Sequence, residues 1–558
     1  MAVAPTNDIG EMFRYVRPVE IDRMSWRRPV VIVGAGPVGL ATAVDLAQRG
    51  TAVLLIDDDD KLSTGSRAIC FAKRTLEVFD RLGCGDAVVD KGVTWNTGRI
   101  FLGSDEIYSF ALLDDSGHQR PAFVNLQQFH VEAFLLERAR QLPTLELRWR
   151  NKVSGIAQDE TGVQLTIETP EGAYQLSCDY LVAADGARSP IRRALSHESH
   201  GQTFRDRFLI ADVRMEADFP AERWFWFDPP FHPGQSVLLH RQPDNVWRID
   251  FQLGWDADPV AEQLPERVIP RIEALLGTGA KFELEWVSIY TFSCLRMDAF
   301  RDHRVLFAGD CAHGVSPFGA RGANSGVQDA DNLAWKLDLV LKGAAPEGLL
   351  DTYGSEREFA ADENILNSTR STDFITPKSE ISKVFRDATL QLARNHPFAR
   401  RLVNSGRLST PSVLTNSPLN TSDEDDFDSP MVSGAPCTDA PVRVRGQDGW
   451  LLHQVVDGFT LLYFGDGRTL PDELAGAFHE LGTGELPIRT VIIEPANTVP
   501  RKPGTMPVVV EDGTTSARFD ARPGTAYLLR PDQHVCGRWR SFEPGKIRRA
   551  LARATCNA

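Results

Sequence analysis

Among 558 residues there is no Cys-x-x-Cys pair, no apolar run of 18 residues and no excess of cations. The eight cysteines, Cys70, Cys84, Cys178, Cys294, Cys311, Cys437, Cys536 and Cys556, are scattered, which removes a dithiol redox centre and a zinc knuckle. No metal site is expected, and the thiols read as small core residues of a reducing compartment. Without a long apolar run a membrane-spanning helix is not expected, and residues 1–26 alternate charged and apolar positions where a secretory leader would have a continuous apolar core. Lys and Arg number 61 against 76 Asp and Glu, a net charge of −15 that argues against nucleic acid or anionic lipid as the main partner. A cytoplasmic protein is expected, with length for three or four domains at about 150 residues each unless one large core absorbs several.

Three segments, by contrast, are rich in chemistry. In the first, the β-branched run Val30-Val-Ile-Val33 leads into Gly34-Ala-Gly36-Pro37-Val-Gly39, a helical stretch to Arg49 and a second apolar strand ending at Asp57. This is a βαβ dinucleotide fingerprint in its proper context: one glycine for the tight turn, one for close approach of a pyrophosphate, one for helix packing, and an acid for ribose hydroxyls. Asp57 is the first candidate for that acid; Asp58, Asp59 and Asp60 follow it directly, so the register stays open, and these three also read as a solvated charge run.

In the second segment, Tyr180-Leu-Val-Ala-Ala-Asp185-Gly186-Ala-Arg188-Ser189-Pro-Ile-Arg192, an apolar strand runs into Asp-Gly and then a helix start bearing arginines, suited to phosphate and ribose contacts. In the third, Arg304-Val-Leu-Phe-Ala-Gly-Asp310 reads as a buried strand ending in a carboxylate where open α/β sheets bind ligands. Residues 316–326 then form a glycine-rich loop containing Pro317, Gly319, Gly322 and Asn324, and residues 327–341 show helical spacing with Leu333, Leu337 and Leu341 on one face. The start of that helix points at whatever the loop holds and is worth ~0.3–1 kcal/mol to a nearby anion.

Taken together, these segments resemble the single-component FAD-dependent aromatic hydroxylases, the family of p-hydroxybenzoate hydroxylase and phenol hydroxylase. The matching residues are Gly309-Asp310, Ala312-His313, Pro317, Gly319, Gly322, Asn324 and the phrase Asp329-Ala-Asp-Asn-Leu-Ala-Trp-Lys336-Leu, with Ser66-Arg67-Ala68 and Gln128, four before Glu132, as further matches. The resemblance implies tightly bound, non-covalent FAD held by Gly34, Gly36, Pro37, Gly39, Asp57, Arg67, Gln128, Asp185, Gly186, Asp310, Pro317, Gly322, Ala323 and Asn324. In the family the Asp310 position binds the ribityl chain, the amides around Ala323 and Asn324 bind the pyrimidine edge of the flavin, and Pro317 lies beside the reacting ring. NADPH or NADH is implied as a transient co-substrate. The implied reaction is hydroxylation of a phenolic compound by O2, ortho or para to its hydroxyl, through a flavin C4a-hydroperoxide. Pro317 and the pocket-facing hydroxyl of Tyr290 are the catalytic candidates, and a homodimer or higher homo-oligomer is expected.

The fold class that follows is α/β: a Rossmann-type FAD-binding domain assembled from residues 28–95, 125–195 and 290–370, with an inserted antiparallel substrate sheet from 96–124 and 196–289. The sheet rests on the aromatic and β-branched runs near 208–213, 223–227, 236–240 and 245–253, separated by Pro, Gly and Asp turns. Trp224, Trp226 and Phe251 read as sheet-core aromatics, and Arg241, Arg248 and Asp250 as outward-facing charges, although an arginine near the pocket would favour an acidic substrate. A helical extension, 371–408, and an exposed linker, 409–435, lead to a thioredoxin-like unit, 436–558, like that of the phenol hydroxylase branch; lacking Cys-x-x-Cys, it is expected to serve packing or oligomerisation. Two alternatives stand beside the hydroxylase. A flavin-dependent halogenase would require Trp-x-Trp-x-Ile-Pro where this chain has Arg223-Trp-Phe-Trp-Phe-Asp-Pro, and a non-catalytic, FAD-stabilised scaffold would consume no substrate.

Overall fold

The computed structural model describes residues 12–22, 27–65, 67–113, 115–277, 279–403, 408–496 and 507–558. Much of the N-terminal stretch read above for its lack of a leader core, Ser66, and residues 404–407 of the expected helical extension lie outside the described residues.

The β-branched runs are buried on both faces, as strands of a parallel sheet must be when helices cover each side. They form the centre of an eight-stranded sheet in which Val305–Phe307, Gly172–Ala183, Arg28–Val33, Val53–Ile56 and Leu145–Arg148 run parallel in that order. The register aligns Val33 with Ile56 and Ala183, and Ala183 with Phe307, so the three motifs leave the sheet side by side from the carboxyl ends of adjacent strands. Open α/β sheets bind ligands at that edge. Two helices, Pro37–Gln48 and Gly322–Leu341, pack against each other beside it.

The second helix begins earlier than its periodicity suggests. Residues 322–326, expected as loop, form its first turns, because Gly326 is there for contact rather than flexibility: a Cβ on it would lie 2.6 Å from Cγ2 of Val38 on the facing helix.

A second eight-stranded sheet stands over this edge, ordered His313–Gly314, Phe282–Met297, Ser199–Met215, Val246–Leu253, Ser236–Arg241, Arg223–Phe227, Thr97–Leu102 and Asp105–Ala111. It is antiparallel as expected except at one place: Arg223–Phe227 pairs parallel with Thr97–Leu102, since the chain segment between them crosses the parallel-sheet unit instead of turning back in a hairpin. The 16-residue strand Phe282–Met297 carries Tyr290 in its middle, opposite Phe208, and ends paired with His313–Gly314, which fastens the Asp310 turn to this sheet. Strand alternation sorts the side chains. Leu209, Ala211, Trp226, Leu239, Trp247, Ile249 and Phe251 fill a core on the far face, so Trp226 and Phe251 are sheet-core residues as read, with Trp224 packed against them.

The C-terminal part holds a seven-stranded sheet in the order Gln447–Trp450, Pro441–Val444, Val508–Glu511, Ile488–Pro495, Phe459–Phe464, Ala526–Leu529, Val535–Trp539. Phe459–Phe464 runs parallel to Ile488–Pro495 and antiparallel to Ala526–Leu529, with helices Asp472–Gly482 and Pro544–Ala554 in the same unit. Residues 409–435 are not an exposed linker. Leu414, Leu419, Met431 and Ala435 are buried, and the acidic run that composition assigns to solvent is paired instead: Asp423 Oδ2 lies 2.6 Å from Arg538 Nη2, and Asp425 accepts the Arg540 backbone N–H at 2.9 Å. The cations that pair with the run, Arg538 on Asp423 and Lys546 on Glu424, lie more than a hundred residues downstream, beyond the reach of local composition.

Candidate functional site

Between the carboxyl edge of the parallel sheet and the second sheet lies a cavity of about 760 Å³, within the range usual for small-molecule and cofactor sites. Its floor contains Gly36, Pro37, Asp185, Gly186 and Asp310, one group from each strand end; Arg67 and Gln128 line its side, and Pro317, Gly322, Ala323 and Asn324 belong to the loop and helix start that close it. Three expected residues are not on its wall, for reasons visible in the packing. Gly34 turns with φ +104°, and a Cβ there would sit 2.4 Å from the Ala184 carbonyl oxygen; a Cβ on Gly39 would sit 1.8 Å from the Gly34 oxygen. Asp57 instead accepts the backbone N–H of Ala35, inside the glycine-rich turn, and that of Asp59 at 2.8 Å, while Asp58 and Asp59 are exposed.

The site is held from behind. Asp329, on the long helix and fully buried, accepts the Gly309 N–H at 2.9 Å, His313 Nε2 at 2.7 Å and Arg357 Nε at 2.7 Å. Although burial pushes its pKa up, His313 and Arg357 hold it below the ordinary carboxylate range. Gly309 sits at φ +71° with Val38 where a side chain would be, so the turn can present only Asp310 to the cavity. Asp310 makes no hydrogen bond or ion pair with any described residue. Its side chain is open to the cavity space, and desolvation by the cavity walls raises its pKa despite His313 and Arg67 nearby.

Several polar groups face the cavity unsatisfied. The helix Gly322–Leu341 has no capping side chain at Arg321, and its first intrahelical bond is donated by Ser325, so the N–H groups of Gly322, Ala323 and Asn324 are open. The Asn324 side chain is committed elsewhere: its Nδ2 donates to the Cys70 carbonyl at 2.8 Å, and its Oδ1 accepts the Ala72 N–H at 2.8 Å. Asp185 accepts from Ser189 Oγ at 2.7 Å through one oxygen, but its Oδ1 is buried without a partner. Around Gly36 nothing lies within 4 Å of an added Cβ. Gln128 bridges Glu132 and the Ala68 N–H, tying the Arg67 loop to its helix.

The roof holds what sequence reading missed. Beside Tyr290, the expected pocket-facing hydroxyl, it is lined by Phe208, Ile210 and Leu238 together with Arg223, His240, Arg248 and Asp250. Arg248 and Asp250, expected to face outward, face inward. Arg248 Nε donates to Asp212 at 3.0 Å, and its Nη1 to the Arg67 carbonyl at 3.2 Å. Burial raises the Asp250 pKa to about 6, with Arg248 and Arg223 opposing, and raises that of Tyr290 as well. The signal lies in the register and not in local sequence: Arg223 stands opposite His240 and His240 opposite Arg248, while Asp250 stands between Leu238 and Ile210 on the same sheet face.

Residues 27–368 match the family model described as FAD binding domain. Among curated relatives, the chain is 31% identical over 519 residues, 91% of each chain, to a probable NADH-specific resorcinol 4-hydroxylase of Rhodococcus jostii. It is 28% identical over 523 residues, 91% of this chain and 90% of the relative, to a 3-(3-hydroxy-phenyl)propionate/3-hydroxycinnamic acid hydroxylase of Mycolicibacterium smegmatis. The crystal structure of the flavin-dependent monooxygenase PieE in complex with FAD and substrate superposes with a TM-score of 0.79 over 96% of this chain and 100% of that one, at 22% identity, a likeness of fold.

Proposed function

The chain belongs to the FAD-dependent aromatic hydroxylases, and from that premise we propose that it uses NADH or NADPH and O2 to hydroxylate a phenolic compound ortho or para to its hydroxyl. The observation that supports this best is the convergence of three strand ends on one cavity whose opposite wall is a second sheet. Bound FAD would supply the electron and oxygen transfer; the protein supplies position, exclusion of water and proton traffic.

The groups present suit the cofactor. The space beside Gly36 and the N-terminus of the Pro37–Gln48 helix suit a pyrophosphate, with Arg67 as a nearby cation. The unpartnered Asp185 oxygen and the Asp310 carboxylate suit hydroxyl donors of a ribityl or ribose chain, and the open N–H groups of Gly322, Ala323 and Asn324 suit a carbonyl-bearing ring edge that gains negative charge on reduction. Pro317 and Tyr290 are assigned to the substrate end, where Tyr290 offers a hydroxyl to an aromatic guest. Two relatives named for resorcinol and hydroxyphenylpropionate support a phenolic substrate, and the NADH-specific one supports NADH as donor. The β-α-β, β-β-α order of the C-terminal unit supports the thioredoxin-like reading, with a packing role; its three cysteines, Cys437, Cys536 and Cys556, are free. No described helix is long and apolar enough to cross a membrane.

Purified holoprotein is expected to oxidise NADH slowly alone and several-fold faster with phenol or resorcinol, consuming O2 as it does so. FAD-replete protein whose NADH oxidation ignores every phenol tried would favour the scaffold alternative. A second expectation concerns Asp310: because its carboxylate has no internal partner and is raised by burial, Asp310→Ala should leave the apo protein as stable as the parent or more so, yet lose FAD on gel filtration. An Asp310→Ala protein that keeps full flavin through desalting would remove this residue from the site.

A further inference from the structure

Most buried charge among the described residues is paired, and besides Asp310 on the floor two groups of the cavity roof depart from that rule. Arg223 makes no hydrogen bond or ion pair with any described residue, and its Nε is buried without a partner; Asp250 likewise has no partner, and its Oδ1 is buried. They stand on the same sheet face two strands apart, with His240 and Leu238 on the strand between them, and they do not meet as an ion pair. Adjacent strands are ~4.8 Å apart and residues ~3.4 Å apart along a strand, so the diagonal of two strands and two residues puts roughly 12 Å between their backbones. Leaving an opposite pair unjoined in an enclosed cavity is costly unless a guest completes it.

We propose that Asp250 accepts the proton of the substrate's reacting hydroxyl and that Arg223 holds the oxyanion left behind. The proposal rests on the hydroxylase reading and supplies the group which that reading lacks. The O–H bond of the phenol breaks, the proton joins the Asp250 carboxylate, and the electron pair stays on the phenolic oxygen facing the Arg223 guanidinium. No oxidant is involved, and the ring becomes electron-rich before oxygen transfer.

The other titratable groups facing this spot are less suited. His240 lies between Arg223 and Arg248 in the register, so a proton on its ring would add a third cation in one buried patch, and burial together with those arginines keeps it neutral. The Tyr290 phenol is pushed up by burial and so gives up its own proton with difficulty. Arg248 is occupied by Asp212 and by the Arg67 carbonyl. Asp250, whose ionised form burial disfavours, gains by taking a proton, and at about 6 its pKa leaves it ionised near neutral pH and ready to do so.

The test compares parent and Asp250→Asn holoenzymes in NADH oxidation and product formation with phenol and with fluorinated phenols of falling pKa, ending with one already ionised at the assay pH. The parent-to-variant rate ratio is expected to be on the order of 10²–10⁴ for phenol and to shrink towards unity for the ionised analogue, with FAD content unchanged. An equal ratio across the series would make Asp250 structural only, and a ratio near one for phenol would leave it without a role; either overturns the proposal. If Asp250→Asn does not fold, 4-nitrophenol bound to the parent and to Arg223→Met decides by its colour: the parent should ionise the bound probe below its solution pKa, and the variant should not. A parent that leaves the bound probe colourless overturns the proposal as well. A parent that no phenol stimulates would instead sink the hydroxylase reading, an outcome visible before any variant is made.

Discussion

Replacing Glu356 with Ala is expected to cost about 3–5 kcal/mol of stability, the scale for removing one member of a buried charge cluster, and to loosen the C-terminal unit from the rest. Glu356 is 2% exposed. It accepts from Lys336 Nζ at 2.7 Å, Asn332 Nδ2 at 2.7 Å and Arg530 Nη1 at 2.6 Å, and from the Ser417 hydroxyl. One carboxylate therefore joins the long FAD-side helix, the following helix, the strap 409–435 and the C-terminal sheet. Its two cations respond differently to its loss. Lys336 is already down at about 8, because burial outweighs its ion pair, and can shed its proton; Arg530 cannot, and is left with Asp532 alone.

Burial pushes the Glu356 pKa up, but Arg530 and Lys336 outweigh it, and the group stays well below the usual carboxylate range. Between that depressed value and the unfolded value of about 4.3, the unfolded chain binds more protons. Stability from this group is thus complete above the unfolded pKa and is lost as pH falls towards the folded one. Denaturation midpoints measured from pH 7 down to pH 3 should fall less steeply for Glu356→Gln than for the parent. Identical slopes, or an Ala variant within 1 kcal/mol of the parent, would mean that the cluster is not what joins the two units.

What could be read from the chain and what could not divides along a physical line. The strand ends were legible because β-branched runs, glycines at fixed spacing and a terminal acid are all local, and tertiary structure only had to bring three of them to one edge. The roof was misread because local pattern there is ambiguous. In Val246–Leu253 the residues Trp247, Ile249, Phe251 and Leu253 alternate with Arg248, Asp250 and Gln252, the pattern of a strand with one wet face. The polar face is covered by the FAD-binding unit, so seven of its eight residues are buried, and the polar members line a cavity. The acidic stretch 423–426 was half legible: Asp423, Glu424 and Asp426 are exposed as a charge run should be, but Arg538 and Lys546, distant in sequence, fold onto Asp423 and Glu424.

The fingerprint glycines separate two explanations that sequence merges, and a pair of substitutions should separate them in the test tube. At Gly39 an added Cβ would be 1.8 Å from the Gly34 carbonyl oxygen, a backbone atom that no rotamer change can move. Gly39→Ala must therefore shift the Pro37–Gln48 helix away from the strand it follows, at a cost of at least the ~1–3 kcal/mol typical of overpacking, and the protein without FAD should show the loss directly. At Gly36 the backbone is ordinary, with φ −73°, and nothing lies within 4 Å of an added Cβ, so apo stability should be unchanged. The methyl would instead occupy the floor of the cavity, and Gly36→Ala should weaken FAD retention. Thermal unfolding of the flavin-free proteins reports the first effect, and FAD titration the second. A Gly36→Ala apo protein as destabilised as Gly39→Ala would mean that both glycines are there for packing, and would take the cofactor's phosphates away from this turn.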